Sequence, residues 1–468
     1  MSLWHPASRC TRFPDSSRFR AVVLAAIICT FGGHSITADE GLNCTMETHE
    51  TNVDPAIKIL SDAEAWERLP KTISGGGQPL PIWARAVAVH LPRTAAAMLE
   101  LDYAQRTASP VNPVLRAKMR WVVANANLCA YSKAYAIADL KRAGANNRMI
   151  SVLTGPADKW PEADRKPLEF ARLLTVAAPT IPDQLFEDLR KEYGENQAAS
   201  MVLLAAYGNF QDRIVLGLQL PVEHSGPLAP LDVEFVEGAL QMAPLIPPNG
   251  PLPVLNANGT DVVADDADWA SVTYDELQER LEKQRDRKPR LPIPTWEQVQ
   301  AKLPPNMTVR PTRIVWSLMT YGYAAELQVP WSTATRTMWA ERPGNRVFEE
   351  SLFWIQTRAI ECNYCMGHCE MLLEVAGLDK PAIADRTRRL AGTDWSAFPP
   401  EEQRAYAYAR KLSKEPWALT KEDYARLEKD LGPEVAMSTF WWLCRGLYMT
   451  RISDGFQLPL ERENVFGP

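Results

Sequence analysis

Through most of the chain the apolar positions recur at three- and four-residue spacing. Leu168, Ala171 and Leu174 follow it, as do Leu185, Leu189 and Tyr193, and Tyr406, Ala409 and Leu412. That period belongs to amphipathic helices. Pro167 suits the first turn of one helix, and Gly144 and Gly377 stand where helices would stop, as left-handed caps. Alternating strands bounded by two-residue turns are absent, so a βαβ frame is not expected. The expected class is all-α.

The pattern is written twice. Residues 115–144 and 348–377 align without a gap at an offset of 233, with Trp121, Cys129, Tyr131, Leu140 and Gly144 falling on Trp354, Cys362, Tyr364, Leu373 and Gly377. Further on the offset is 238, and Arg213, Ile214, Gly217, Gln219, Leu220, Pro221 and Glu223 match Arg451, Ile452, Gly455, Gln457, Leu458, Pro459 and Glu461. Fixed-period self-similarity of this kind marks a duplicated structural unit. The expected organisation is a first repeat over 80–225, a Pro-rich linker with one or two short helices over 226–305, and a second repeat over 306–468. The linker's Pro-rich stretch 227–253 reads as an extended spacer, and the charges of 274–288 as a solvated helix.

The N-terminus changes how the cysteines are read. Arg9, Arg12, Arg18 and Arg20 precede the apolar run 21–31, followed by a small and polar stretch ending at Ala38. That order is a secretory signal peptide over 1–38, with 39–79 as an N-terminal extension. The run is too short for a membrane span, which needs roughly 20 residues, so an uncleaved anchor is the minor alternative. An exported protein works where thiols can pair. Of eight cysteines, Cys10 and Cys29 would leave with the signal, and six remain: Cys44, Cys129, Cys362, Cys365, Cys369 and Cys444. A net charge of -6, with no basic block carrying interleaved aromatics, argues against nucleic acid as a partner.

Three of those cysteines crowd one segment. Glu350 precedes Cys362, Cys365, His368 and Cys369 within twenty residues. A helix starting near Asn363 would set its first-turn amides beside the thiols and favour a thiolate, the attacking species in peroxide reduction and disulfide exchange. On that helix Cys365 lies about 60° from Cys362, and Cys369 returns to within about 20° of Cys362. His368 or a buried carboxylate could take the thiol proton. Zinc ligation is the competing use of these residues, but four ligands from two turns of one helix cannot surround an ion tetrahedrally. No metal or cofactor is expected.

The spacing of Glu350, Cys362 and Cys365 resembles the E-x(11)-C-x-x-C-x-x-x-H signature of alkylhydroperoxidase D, in the carboxymuconolactone decarboxylase superfamily. The run Arg451-Ile452-Ser453-Asp454 is similar to its peroxidase-related branch. The resemblance implies an all-α fold, homo-oligomers, an attacking Cys365, a resolving Cys362 that forms a disulfide with it, and Glu350 in a proton relay. It also implies a hydroperoxide or disulfide substrate, and a lipoyl-linked donor that an exported enzyme could not reach, which leaves the thiol donor open. This sequence departs from the signature at the histidine position, which holds Cys369, with His368 one residue early. The first repeat has Ala117, Ser132 and Ala136 where Glu350, Cys365 and Cys369 stand in the second. It is expected to pack against the second as a thiol-poor half of an internal pseudo-dimer. A decarboxylase-like enzyme without dithiol chemistry, or a non-catalytic helical scaffold, are the alternatives.

Overall fold

Side-chain caps set where many of the helices begin. Asn112 accepts from the Val114 and Leu115 amides, Asn146 from Met149, Asn345 from Phe348 and Asp379 from Ala382. These bonds satisfy donors that a helix start leaves unpaired. The computed structural model describes residues 54–240, 242–243, 267–303 and 311–467. The expected signal peptide, Cys44 and the Pro-rich run 244–253 lie outside them.

The chain is all-α. Asp62–Arg68 (α1), Ile82–Val87 (α2) and Pro92–Thr107 (α3) lead into Pro113–Ala126 (α4), Ala130–Arg142 (α5), Asn147–Thr154 (α6), Glu162–Val176 (α7), Asp183–Tyr193 (α8) and Glu195–Gly217 (α9). After Ala267–Ala270 (α10), Tyr274–Arg285 (α11) and Trp296–Gln300 (α12), the second half begins with the long Val315–Glu341 (α13), kinked at Ala324. Arg346–Ala359 (α14), Asn363–Val375 (α15), Lys380–Ala391 (α16), Pro400–Lys414 (α17), Lys421–Leu431 (α18) and Pro433–Phe456 (α19) then follow the order of α4 to α9. Left-handed backbone recurs at Leu128 and Glu361, at Gly144 and Gly377, at Gly194 and Gly432, and at Gln219 and Gln457, the spacing of the sequence repeat.

The most extensive packing joins the halves: α9 lies on α19, and α3 on α13. Glycine permits the first contact. A methyl at Gly455 would stand 2.6 Å from Val202 of α9, and one at Gly217 would strike Phe440 of α19. Beside that seam Trp331 stacks on Tyr448 with ring centroids 3.6 Å apart, and Phe210 meets Trp331 and Trp441 edge-on, geometries that aromatic pairs favour.

Three expectations change. Pro167 lies inside α7, not in its first turn. A proline leaves the carbonyl four residues earlier without its donor, and here the Tyr193 hydroxyl supplies one to Ala163 at 3.2 Å. The helix read as solvated over 274–288 is partly sunk into the second repeat. Leu277, Leu281 and Gln284 of α11 are buried, against α15 and the C-terminal segment, Gln284 bonds Leu458 and Leu460, and Arg290 donates to the terminal α19 carbonyls of Asp454 and Gly455. The third is a small antiparallel sheet in which Thr72–Ser74 (β1) pairs with Glu234–Phe235 (β2), tying the linker's start to the N-terminal extension.

Gly217→Val forces volume into the α9–α19 seam. It is expected to destabilise the protein by about 1–3 kcal/mol, read from the urea unfolding midpoint.

Candidate active site

The elbow between α14 and α15 places the thiols. Its turn residue Glu361 has φ 60°, and α15 then starts at Asn363 with Cys362 as the residue before its first turn. Cys362 and Cys369 are fully buried, and Cys365 is 3% exposed. All three are free thiols. Cys365 lines a cavity of about 120 Å³, walled by Trp316, Trp331, Trp339 and Trp442. Cys362 is not part of that wall; its sulfur faces the Thr450 carbonyl at 3.8 Å.

The start of α15 was expected to lower a thiol pKa, and at Cys362 it does not. The Cys365 amide favours the Cys362 thiolate, but burial, the neighbouring Cys365 thiol and Asp454 outweigh it and push Cys362 well above the ordinary thiol range. Burial and the Glu350 carboxyl push Cys369 the same way.

The run Arg451-Ile452-Ser453-Asp454 ends α19 directly over the pair. Ser453 Oγ lies 3.2 Å from Cys365 Sγ. Asp454, half-buried, is raised to about 7 by desolvation of its carboxyl, opposed by Arg451 and by its contact with Cys362. The other candidates also meet here. Glu350, fully buried on α14, stands beside Cys369, and burial raises it to about 7 against the pull of Arg346 and Arg445. The position of the signature's histidine therefore holds a thiol that touches the carboxyl.

His368 takes a different partner. Its Nε2 lies 2.7 Å from Glu461 Oε2; an ionised carboxylate only accepts, which puts the ring proton on Nε2. Burial alone would raise Glu461, but His368 and the Val315 amide hold it below the usual carboxylate range. Glu461 Oε1 also accepts from Tyr364 at 3.0 Å and from Val315 at 2.7 Å. The first repeat makes the same clamp: Glu223 accepts from Tyr131 at 2.9 Å and from Ile82 at 2.8 Å. The clamp is thus common scaffolding, and His368, matched by Tyr135 in the first repeat, is the addition.

Where the second repeat has Cys365, the first has Ser132 beside an ion pair. Arg120 pairs with Asp212 at 2.5 Å and donates to Ser132 at 2.6 Å, and burial pushes Cys129 up to about 12. Cys444 is buried and pushed well up by burial, as a core residue would be.

Sequence reasoning missed Glu349, Arg346 and Arg445. Arg445 lies over Trp442, 4.3 Å from the ring centroid. Glu349 is raised to about 8 by burial and by Glu350 beside it. Adjacent glutamates on a helix usually read as a solvated face, and only packing shows both turned inward. Among the described residues, no group of three or more His, Cys, Asp or Glu is arranged to hold a metal ion, and no helix is long and apolar enough to cross a membrane. No protein-family model matches the chain, and no curated protein is significantly similar to it.

The two glutamates give a pH dependence. Their folded values exceed the ordinary 4.5, so the folded state keeps protons that the unfolded chain releases. Stability is then expected to fall as pH rises from that value through 7 and 8. Glu349→Gln keeps the neutral form, and should raise stability near pH 8 by on the order of 1–3 kcal/mol, with little change near pH 5. Urea unfolding at both pH values checks it.

Proposed function

We propose that this chain is an exported dithiol peroxidase of the alkylhydroperoxidase D type, in which Cys365 attacks a hydroperoxide and Cys362 resolves the product. The observation that carries the reading is the division of labour between the sulfurs. Cys365 faces a narrow cavity walled largely by tryptophans, while Cys362 stands behind it in contact. A small organic hydroperoxide fits such a cavity. A protein disulfide has no path to a sulfur that is 3% exposed, which favours peroxide reduction over disulfide exchange.

The steps follow from the chemistry of thiols. The Cys365 thiolate attacks the terminal peroxide oxygen, the O–O bond breaks, and the alcohol leaves with a proton. The sulfenic acid on Cys365 is then attacked by Cys362, water departs, and a Cys362–Cys365 disulfide forms. An external dithiol returns two electrons and two protons. Glu350, held near neutrality, accepts the Cys365 proton by way of Cys369, whose raised pKa keeps it a thiol able to bridge the two. The first repeat, with Ser132 in place of the attacking thiol, serves as the packing half of an internal pseudo-dimer. The N-terminal arginines and apolar run support export.

The test is peroxide consumption with a thiol count on the mature protein. Wild type should lose two thiols per chain on oxidation. Cys365→Ser should lower consumption by at least about 10³-fold, whereas Cys362→Ser should retain a single turnover that stops at the sulfenic acid. Thiols inert to hydroperoxide would overturn the reading in favour of the decarboxylase-like branch.

A further inference from the structure

Away from the thiol cavity, a second pocket of about 560 Å³ opens where the repeats meet. Among the described residues, five cationic side chains line it, Arg213, Arg280, Arg358, Lys414 and Arg451, against one carboxylate, Glu361. Glu361 is already paired with Arg280 at 3.4 Å. Arg213 and Arg451 occupy equivalent positions of the two repeats, so the duplication brings two buried guanidiniums to one place.

Buried charges are ordinarily bonded to an opposite charge, and among the described residues three guanidiniums here bond only neutral acceptors. Arg213 donates to Asn127 Oδ1 and Asn209 Oδ1, each at 2.8 Å, and to the Ser413 carbonyl at 3.3 Å. Arg451 donates to the Thr175 carbonyl at 3.0 Å. Arg358 donates to the carbonyls of Ala391, Trp269 and Val272. All of these acceptors are neutral. Arg213 and Arg451 also each keep a buried Nε with no hydrogen-bond partner. The nearest carboxyls do not make up the difference: Asp212 is committed to Arg120 and Asn127, and Asp454 faces Cys362 with its own charge weakened by burial. Burial, with mutual repulsion from Arg451, pushes Arg213 down to about 9, and burial and Arg280 push Arg358 down to about 10. Among the described residues, none of the three guanidiniums is hydrogen-bonded to a carboxylate.

We propose that this pocket binds a multiply charged oxyanion of the phosphate or pyrophosphate class, held by the guanidiniums of Arg213, Arg451 and Arg358 with Lys414 and Arg280 at the rim. Planar guanidiniums match phosphoryl oxygens two at a time, and a group with several charges answers a surplus that one carboxylate would leave uncompensated.

The test is titration calorimetry of inorganic pyrophosphate into the full-length protein at low ionic strength, with chloride as the control anion. Wild type is expected to bind saturably and to melt at a higher temperature with pyrophosphate present. Lys414→Glu should weaken binding roughly tenfold or more. Lys71→Glu, an exposed site outside the pocket, changes the net charge equally and should bind as wild type does. If Lys414→Glu does not fold by circular dichroism, Arg280→Gln takes its place and should also weaken binding. Absence of saturable binding to wild type, or equal loss in the pocket and control variants, would overturn the proposal.

Discussion

The carboxylate of Glu461 holds together parts of the chain that sequence keeps far apart. It accepts from the first amide of α13, from Tyr364 on α15 and from His368 one turn later. Those contacts fix the helix bearing the thiols against the helix that supplies most of the aromatic wall. The linker joins the same point, because Arg285 donates to the Glu461 carbonyl. Without that junction α15 could pivot at the Glu361 elbow, and Cys365 would have no fixed relation to Trp316 or Ser453. A buried carboxylate with several donors is a strong positional constraint, since any movement strands a charge away from water.

Burial also decides the electrostatics of the site. A helix start favours anions within its first turn, an effect of about 0.3–1 kcal/mol at exposed positions. At Cys362 it is overruled by the loss of water and by neighbouring acidic groups. The same loss of water holds Glu349, Glu350 and Asp454 near neutrality, where each can gain or release a proton in the physiological range. Burial thus favours the uncharged form of a sulfur and three carboxyls together, which lowers the cost of enclosing them.

Much of the architecture was legible in the sequence because helices declare themselves locally. The three- and four-residue spacing, the capping glycines at 144 and 377, and the helix start after Cys362 all depend on neighbours in the chain. The duplication was legible too, since matched tyrosines, glycines and glutamates survive in both halves. What stayed hidden depends on contacts between distant segments. Pro167 read as a helix start because the acceptor that Tyr193 serves, Ala163, is evident only once α7 and α8 pack. The charges of α11 concealed Leu277 and Leu281 on its opposite face. His368 could be named as a candidate, but its pairing with Glu461, 93 residues on, was not visible in local spacing.

The ion-paired interior of the first repeat makes the two folds unequal. Two copies with the same interior would present two equivalent thiol pairs. With Arg120 and Asp212 filling one interior and Ser132 standing where Cys365 stands in the other, the chain carries one Cys362–Cys365 pair for two folds, while a glutamate clamp, Glu223 or Glu461, is kept in each.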